Sequence, residues 1–475
     1  MKKYNIGLIG LAVMGKNLAL NIGNNGYKVA VYNRTESKVD DFMKDKGEGF
    51  YGAKSIGELC EILERPRKIF IMVKAGSAVD SIIEELVPHL SDGDILIDGG
   101  NSLYSDTSRR VNDMATKGIL YVGCGISGGE EGALKGPSLM PGGNKAAWKE
   151  INSLMEAISA KVTLQNGEVQ PCVSWIGEGG AGHFVKMVHN GIEYGDMQII
   201  CEGYDIARKI MDMDNYSISS MFADWNRSQL ESYLIEITAQ ILKEKENNHY
   251  IVDHILDSAG QKGTGAWTAI TALEEGVPLN LITEAVFGRV ISAQKEIRMK
   301  LNEIYSKELY NTAKPDNYLN ITAKDLESAL YSAKLISYSQ GFELITTKSS
   351  KEGWNIDPKE VANVWRGGCI IRSAFLNDIA SAYNSTSLET LMLSKFYRQT
   401  LPSAIPSLRR VVSAAVMAGL PVPSLAGALS YYDSITSQRL PANLLQAQRD
   451  YFGAHKFERT DAPRGMFFHH LWQKD

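Results

Sequence analysis

Short apolar runs punctuated by glycine turns recur through the first third of the chain, and long proline-poor segments of helical periodicity fill most of the rest. Residues 3–9 read as a buried strand that runs into Gly10-Leu11-Ala12-Val13-Met14-Gly15 and a helix beginning near Lys16. A second strand over residues 28–32 follows the Asn25-Gly26 turn and completes a βαβ unit. Residues 68–73, 94–98 and 120–123 continue the alternation, which predicts a doubly wound α/β sheet of the Rossmann type. From about Gly177 the rhythm changes and the pattern predicts a large all-α domain. Glu202-Gly203-Tyr204 precedes Phe222-Ala223-Asp224-Trp225 much as Gln340-Gly341-Phe342 precedes Ala362-Asn363-Val364-Trp365. The glycine-to-tryptophan spacings are 22 and 24. This predicts an internal helical duplication, chance similarity of amphipathic helices being the alternative. Residues 411–432 carry no charge, but Pro421, Pro423 and many small residues favour a buried helix, a turn and a second helix over a membrane span. Beyond Pro441 the chain is too short to build its own core and is expected to dock on something larger. The expected divisions are residues 1–176, 177–434 and a C-terminal tail, 435–475.

Composition narrows the picture further. At 475 residues, 44% hydrophobic and 22% charged, the chain has material for more than one globular core. A net charge of -5 with no long basic run argues against nucleic acid as a partner. The five cysteines are scattered, form no CxxC pair and are odd in number, which fits a reducing, cytoplasmic setting. The start of the chain is better explained as a strand and turn than as an export signal, and no membrane segment is expected. Neither the cysteines nor the eight histidines, His469-His470 included, show zinc spacing, so no catalytic metal is expected. Ser127 lies between glycines but not in a nucleophile elbow, which gives hydrolase chemistry little support.

The first glycine turn has the G-x-A-x-x-G form of a dinucleotide fingerprint. Gly10 makes the turn, small Ala12 admits a pyrophosphate to the backbone, and Gly15 lets helix and strand pack closely. Where an NAD-binding chain places an acid for the ribose 2′-hydroxyl, Asn33, Arg34 and Thr35 stand here. A guanidinium pairs with a 2′-phosphate and no carboxylate repels it, so the expected cofactor is NADP. Ligands of such sheets sit beyond the carboxyl ends of the strands. Val73-Lys74-Ala75, Asp98-Gly99-Gly100-Asn101 and Gly125-Ile126-Ser127-Gly128-Gly129 lie there, and these three loops are expected to face the nicotinamide.

Lys186, His189, Asn190 and Glu193 fall at offsets 0, 3, 4 and 7, which gathers a potential base, a potential acid and hydrogen-bonding groups on one side of a helix. Phe184, Val185, Met187 and Val188 can keep the lysine partly dry, lowering its pKa until it can take a proton. The same spacing also fits a solvated face bearing an i, i+7 charge pair. Lys262, in a glycine-rich loop, and Arg289, on a helix, are further cations, each compatible with an ordinary surface charge.

Gly10 to Gly15, Met72 to Ala75, Ile97 to Asn101, Ser127 to Ala133, Lys186 to Met197 and Gln446 to His455 together make the chain resemble, from Ile6 to its tail, the family of decarboxylating 6-phosphogluconate dehydrogenases. The resemblance implies oxidative decarboxylation of 6-phospho-D-gluconate to D-ribulose 5-phosphate and CO2 with reduction of NADP, in the oxidative pentose phosphate pathway and without a metal. It implies Lys186 as general base and Glu193 as general acid. It also implies that Asn101, Ser127, Gly128, Gly129, His189, Asn190, Tyr194, Lys262 and Arg289 line the substrate site. Arg449 and His455 match positions that reach substrate from the neighbouring subunit, which implies a homodimer. The expected NADP contacts are Gly10, Leu11, Ala12, Val13, Met14, Gly15, Asn33, Arg34, Thr35, Val73, Lys74, Ala75 and Asn101. Two rivals share part of this pattern. Another β-hydroxyacid dehydrogenase has the fingerprint and the lysine but no need of an acid at Glu193, and CO2 release distinguishes it. An NADP-binding sensor without catalysis is distinguished by turnover.

Overall fold

The computed structural model describes residues 3–164, 166–309, 320–384 and 388–472. Its main sheet contains β1 (Ile6–Ile9), β2 (Val29–Tyr32), β3 (Phe50–Gly52), β4 (Lys68–Ile71), β5 (Ile95–Asp98), β6 (Leu120–Ser127), β7 (Ser138–Gly143) and a two-residue strand, Gly177–Glu178. Across the sheet the order is Gly177–Glu178, β7, β6, β5, β4, β1, β2, β3. β3 through β6 run parallel and β7 pairs antiparallel with β6. The order reverses between β1 and β4, the switch point beside which doubly wound sheets bind ligands. Alternate residues of each strand serve opposite faces. Ile6, Leu8, Val29 and Val31 join the core on one side, while Ile9, Ala30, Ile69 and Ile71 join the other.

Three details differ from the expectation. β6 runs on to Ser127 because it pairs residue by residue with β7, from Val122 opposite Gly143 to Ser127 opposite Ser138. β7 was not among the expected strands, Pro141, Gly142 and Gly143 occupying half of it. The first helix begins at Val13, directly on the turn, rather than near Lys16. Its N-cap residue Ala12 offers no side-chain cap, so the first N–H groups are left for another acceptor.

The sheet is followed by a largely helical region built on two long helices, Ala181–Lys209 of 29 residues and Ala323–Glu352 of 30. They meet through the repeated glycines. A Cβ on Gly203 would come 3.1 Å from Leu330, and one on Gly341 would come 2.6 Å from Ile192, so each helix seats a branched side chain against the other's glycine. Each is followed by a shorter helix closed by a tryptophan, Asn215–Trp225 and Pro358–Val364 with Trp365 at its cap. The region is not purely helical, because Lys245–Glu246 and His249–Tyr250 form a small hairpin. The charge-free stretch ends helix Lys395–Met417, turns at Gly419 and opens helix Pro423–Ile435. Among the described residues no helix is long and apolar enough to cross a membrane.

The chain divides into two compact units, Met1–Ala428 and Leu429–Asp475. Within the second, helix Ala442–Gly453 and the hairpin Phe457–Glu458/Phe467–Phe468 accompany a buried carboxylate. Asp450 accepts hydrogen bonds from the backbone N–H groups of Lys456 and His470 and from Trp472 Nε1, and lies 2.9 Å from His469 Nδ1. A polar hub thus organises this unit, while Leu444, Leu445, Tyr451 and Phe452 remain exposed on it. The last three residues of the tail lie outside the described ones.

Candidate active site

Residues 181–192 are buried without a break, so the first three turns of helix Ala181–Lys209 are packed on all sides, and an exposed side begins only beyond them, at Met197 and Cys201. Glycines bring it against the sheet. A Cβ on Gly182 would sit 2.3 Å from Gly123 O and 2.4 Å from Met140 O, and one on Gly125 would sit 2.4 Å from Lys186 Cβ. Only hydrogen fits at those two places, and the close approach sets Lys186 at the C-terminal half of β6. The lysine is 6% exposed. The alternative of a solvated charged face is therefore excluded.

A cavity of about 610 Å³ opens beside this helix, within the range of small-molecule sites. Lys186, Asn190, Glu193 and Tyr194 form one wall, Ser127, Gly128 and Gly129 a second, and Asn101 and Met14 enter from the β5 and fingerprint loops. Lys262 and Arg289 lie on its lining as well. His189 is buried behind the wall, not on it, at 0% exposure. Its Nε2 lies 3.0 Å from Ser127 Oγ, and its Nδ1 lies 3.3 Å from Lys186 Nζ, 3.1 Å from Asn190 Oδ1 and 3.8 Å from Glu193. The ring stands edge-on to Trp365, with centroids 5.7 Å apart. It thus lies beside Lys186, Asn190 and Glu193 of the first wall and Ser127 of the second.

Burial lowers the pKa of Lys186 from its ordinary value, with the negative charge of Glu193 opposing part of the effect. Burial raises that of Glu193, against the pull of Lys186 and Arg289. Burial, then Lys186, pushes the pKa of His189 well below its usual range. Both termini of the wall are thus biased toward an uncharged amine and an uncharged carboxyl, the starting forms of a base and an acid. Farther along, the Arg289 guanidinium stacks 3.4 Å above the Tyr194 ring centroid, and Gly265 leaves room for that ring, since a Cβ there would lie 2.6 Å from it. Two cations and a stacked aromatic suit an anionic group on a ligand.

On the cofactor side, Gly10 turns with φ +103, where a side chain would strike Met72 O, and Gly15 lies against Gly10 O. Asn33 Oδ1 accepts from Leu11 N–H at 3.0 Å, tying the end of β2 to the fingerprint turn. Arg34, Thr35 and Lys74 are exposed beyond the strand ends, and Val73 and Ala75 are half-buried. Ala12 and Val13 are exposed at the uncapped helix start. Arg449 and His455 belong to the second unit, where both are exposed, and the lining of the cavity comes wholly from the first. Sequence reasoning missed Gln261, Thr264 and Ile370 on that lining. Gln261 and Thr264 flank Lys262 and were within reach of a motif reading, whereas Ile370 follows the Gly367-Gly368 turn and carries no local signal.

Compared with known proteins, the family model described as "6-phosphogluconate dehydrogenase, C-terminal domain" matches residues 182–472, and "NAD binding domain of 6-phosphogluconate dehydrogenase" matches residues 5–177. The decarboxylating 6-phosphogluconate dehydrogenase of Treponema pallidum (strain Nichols) is 51% identical over 98% of this chain and 96% of its own length. That of Homo sapiens is 50% identical over 99% and 97%. A solved structure of Plasmodium falciparum 6-phosphogluconate dehydrogenase is described in its apo form, with its cofactor NADP+ and with its substrate 6-phosphogluconate. It covers 98% of this chain and 100% of that chain at 46% identity and a TM-score of 0.93.

Proposed function

The chain belongs to the 6-phosphogluconate dehydrogenase family, and on that premise we propose how its cavity oxidises and decarboxylates 6-phosphogluconate, yielding ribulose 5-phosphate and CO2. The observation that carries the reading is the single buried wall on which an amine and a carboxyl are both biased toward their neutral forms. Neutral Lys186 takes the proton of the 3-hydroxyl as C3 is oxidised. The product of that step is a 3-keto acid whose carboxylate is β to the carbonyl, and the ammonium now on Lys186 stabilises the oxygen anion that develops at C3 as CO2 leaves. Glu193 then protonates C1 of the enediol. Ser127, Asn190 and Asn101 orient the hydroxyls and carboxylate, His189 holds Ser127 and Lys186 in place from behind, and Lys262 and Arg289 receive the 6-phosphate.

The residues present fit NADP. The uncapped start of helix Val13–Asn24 offers N–H groups to the pyrophosphate, and exposed Arg34 offers a fork to the 2′-phosphate. When bound, NADP supplies the acceptor for the hydride that leaves C3. In this reading residues 1–176 hold the cofactor, 177–434 hold the substrate, and 435–475 dock on a second copy. Arg449 and His455 of that tail complete the neighbouring site of a homodimer. The exposed Leu444, Leu445, Tyr451 and Phe452 support docking. Five free cysteines, four of them buried, support a cytoplasmic setting.

Lys186→Met tests the assignment. Turnover of 6-phosphogluconate should fall by about 10²–10⁴-fold, the usual contribution of a positioned base, while the Kd for NADP stays unchanged. Near-normal turnover removes the lysine from this role.

A further inference from the structure

Helix Tyr104–Ala115 contributes nothing to the cavity lining, yet two residues one turn apart on it grip the machinery from behind. Thr107 Oγ1 lies 2.6 Å from Nδ1 of His183, the residue one turn before Lys186 on its helix. Arg110 is 1% exposed. Its Nε and Nη2 donate to the two oxygens of Asp80 at 2.8 and 3.0 Å, and Nη2 also donates to Gly76 O at 3.0 Å. Gly76 closes the Val73-Lys74-Ala75 loop. The remaining nitrogen, Nη1, is buried without a hydrogen-bond partner among the described residues and faces Asp98 Oδ2 at 3.5 Å.

Asp98, fully buried at the end of β5, shapes the next loop. Its Oδ1 accepts from Gly100 N–H at 3.0 Å, and its Oδ2 accepts from Ser102 Oγ at 2.7 Å and Tyr121 OH at 3.1 Å. Asn101 is therefore strung between two residues fixed to one carboxylate, and it is the member of this loop that reaches the cavity. The two loops also touch, since a Cβ on Gly100 would come 3.2 Å from Val73 O. A buried guanidinium and carboxylate are a poor source of stability compared with apolar packing of the same volume. Their planar, fixed geometry supplies direction instead.

We propose that Arg110, hydrogen-bonded to Gly76 and Asp80 on one side and paired by charge with Asp98 on the other, is the positioning residue that fixes Asn101 against the Val73–Ala75 loop and so sets the grip on substrate. The proposal rests on the reading of this cavity as the 6-phosphogluconate site. Its test is calorimetric titration of the full-length protein with 6-phosphogluconate, without NADP, alongside steady-state kinetics. Arg110→Met should raise the Kd by roughly tenfold or more, as misplacement of a positioning group does. KM should rise more than kcat falls. In an Asn101→Ala background the same change should add less than about twofold, because both act through one contact. Arg110→Lys, which keeps the charge and loses the fork, should give an intermediate Kd, and it is the variant read should Arg110→Met fail to fold. A parental Kd in either variant, or an undiminished loss on top of Asn101→Ala, overturns the proposal. If the parent protein itself does not bind 6-phosphogluconate, the functional reading falls and takes this one with it. Binding by the parent with no change in the variants sinks the positioning role alone.

Discussion

One methyl group at position 125 tests whether the spacing of strand and helix is what seats the base. Gly125 pairs with Met140 in the β6–β7 ladder, and a Cβ built on it would lie 2.4 Å from Lys186 Cβ, 3.0 Å from Lys186 Cγ and 3.2 Å from Gly182 O. Carbons in contact rest about 3.5–4.0 Å apart, so the lysine must retreat by ~1–1.5 Å. Its Cβ is part of a helix held on the far side as well, where Ile192 already fills the space above Gly341. Overpacking of this kind costs about 1–3 kcal/mol of stability. Displacing a reacting group by about 1 Å costs on the order of 10²-fold in rate. We expect Gly125→Ala to lower Tm and to reduce kcat/KM for 6-phosphogluconate by roughly that factor, measured as NADPH formation well below the melting transition of the variant. Gly47→Ala is the control, because no heavy atom lies within 4 Å of its added carbon. It should leave kcat/KM unchanged. Parental kcat/KM in Gly125→Ala would refute the argument that close approach positions the lysine.

The remaining expectations concern charge and the tail. In the proposed mechanism turnover needs Lys186 without its proton and Glu193 with one, so the rate should fall on the acid side as Lys186 is protonated and on the alkaline side as Glu193 ionises. Burial moves both groups in the direction this requires, lowering the pKa of Lys186 and raising that of Glu193. Glu193→Gln should abolish the alkaline limb of the kcat profile. An intact alkaline limb counts against Glu193 as the acid. Arg34→Ala should raise KM for NADP strongly and KM for NAD little, and equal effects on both would mean that Arg34 does not read the 2′-phosphate. A chain ending at residue 440 should lose activity and elute as a smaller species in size-exclusion chromatography. Full activity of that shortened chain would end the docking role.

Much of the site was legible because its chemistry lies on one helix. Periodicity alone brings Lys186, Asn190 and Glu193 to one side, and no long-range contact is needed to see it. The central strands were equally open to reading, since β1, β4 and β5 are covered on both faces and appear as plain apolar runs. What stayed hidden depends on residues distant in sequence. Trp365 packs against His189 and Ile370 lines the cavity, and nothing around Lys186 announces either. β7 was masked by its own proline and glycines. Arg110 was hidden differently: its helix carries Asp106, Arg109 and Asp113 on a charged face, and one buried arginine among them has no signature until the fold supplies Asp80 and Asp98.

Lys186 and Glu193 ride on the same rod, seven positions and ~10.5 Å of rise apart. Hinge motion cannot stretch or shorten that interval, and the amine and the carboxyl lie 3.3 and 3.8 Å from the same His189 nitrogen, so together they make one fixed mark at neighbouring substrate carbons from which the rest of the skeleton is measured. A sugar acid with one carbon more would still register at its carboxyl end and overshoot at the other. Engineering toward new chain lengths therefore belongs at the far end, in the loop from Gly260 to Gly263, where both glycines have open space around them and residues can be added without moving that mark.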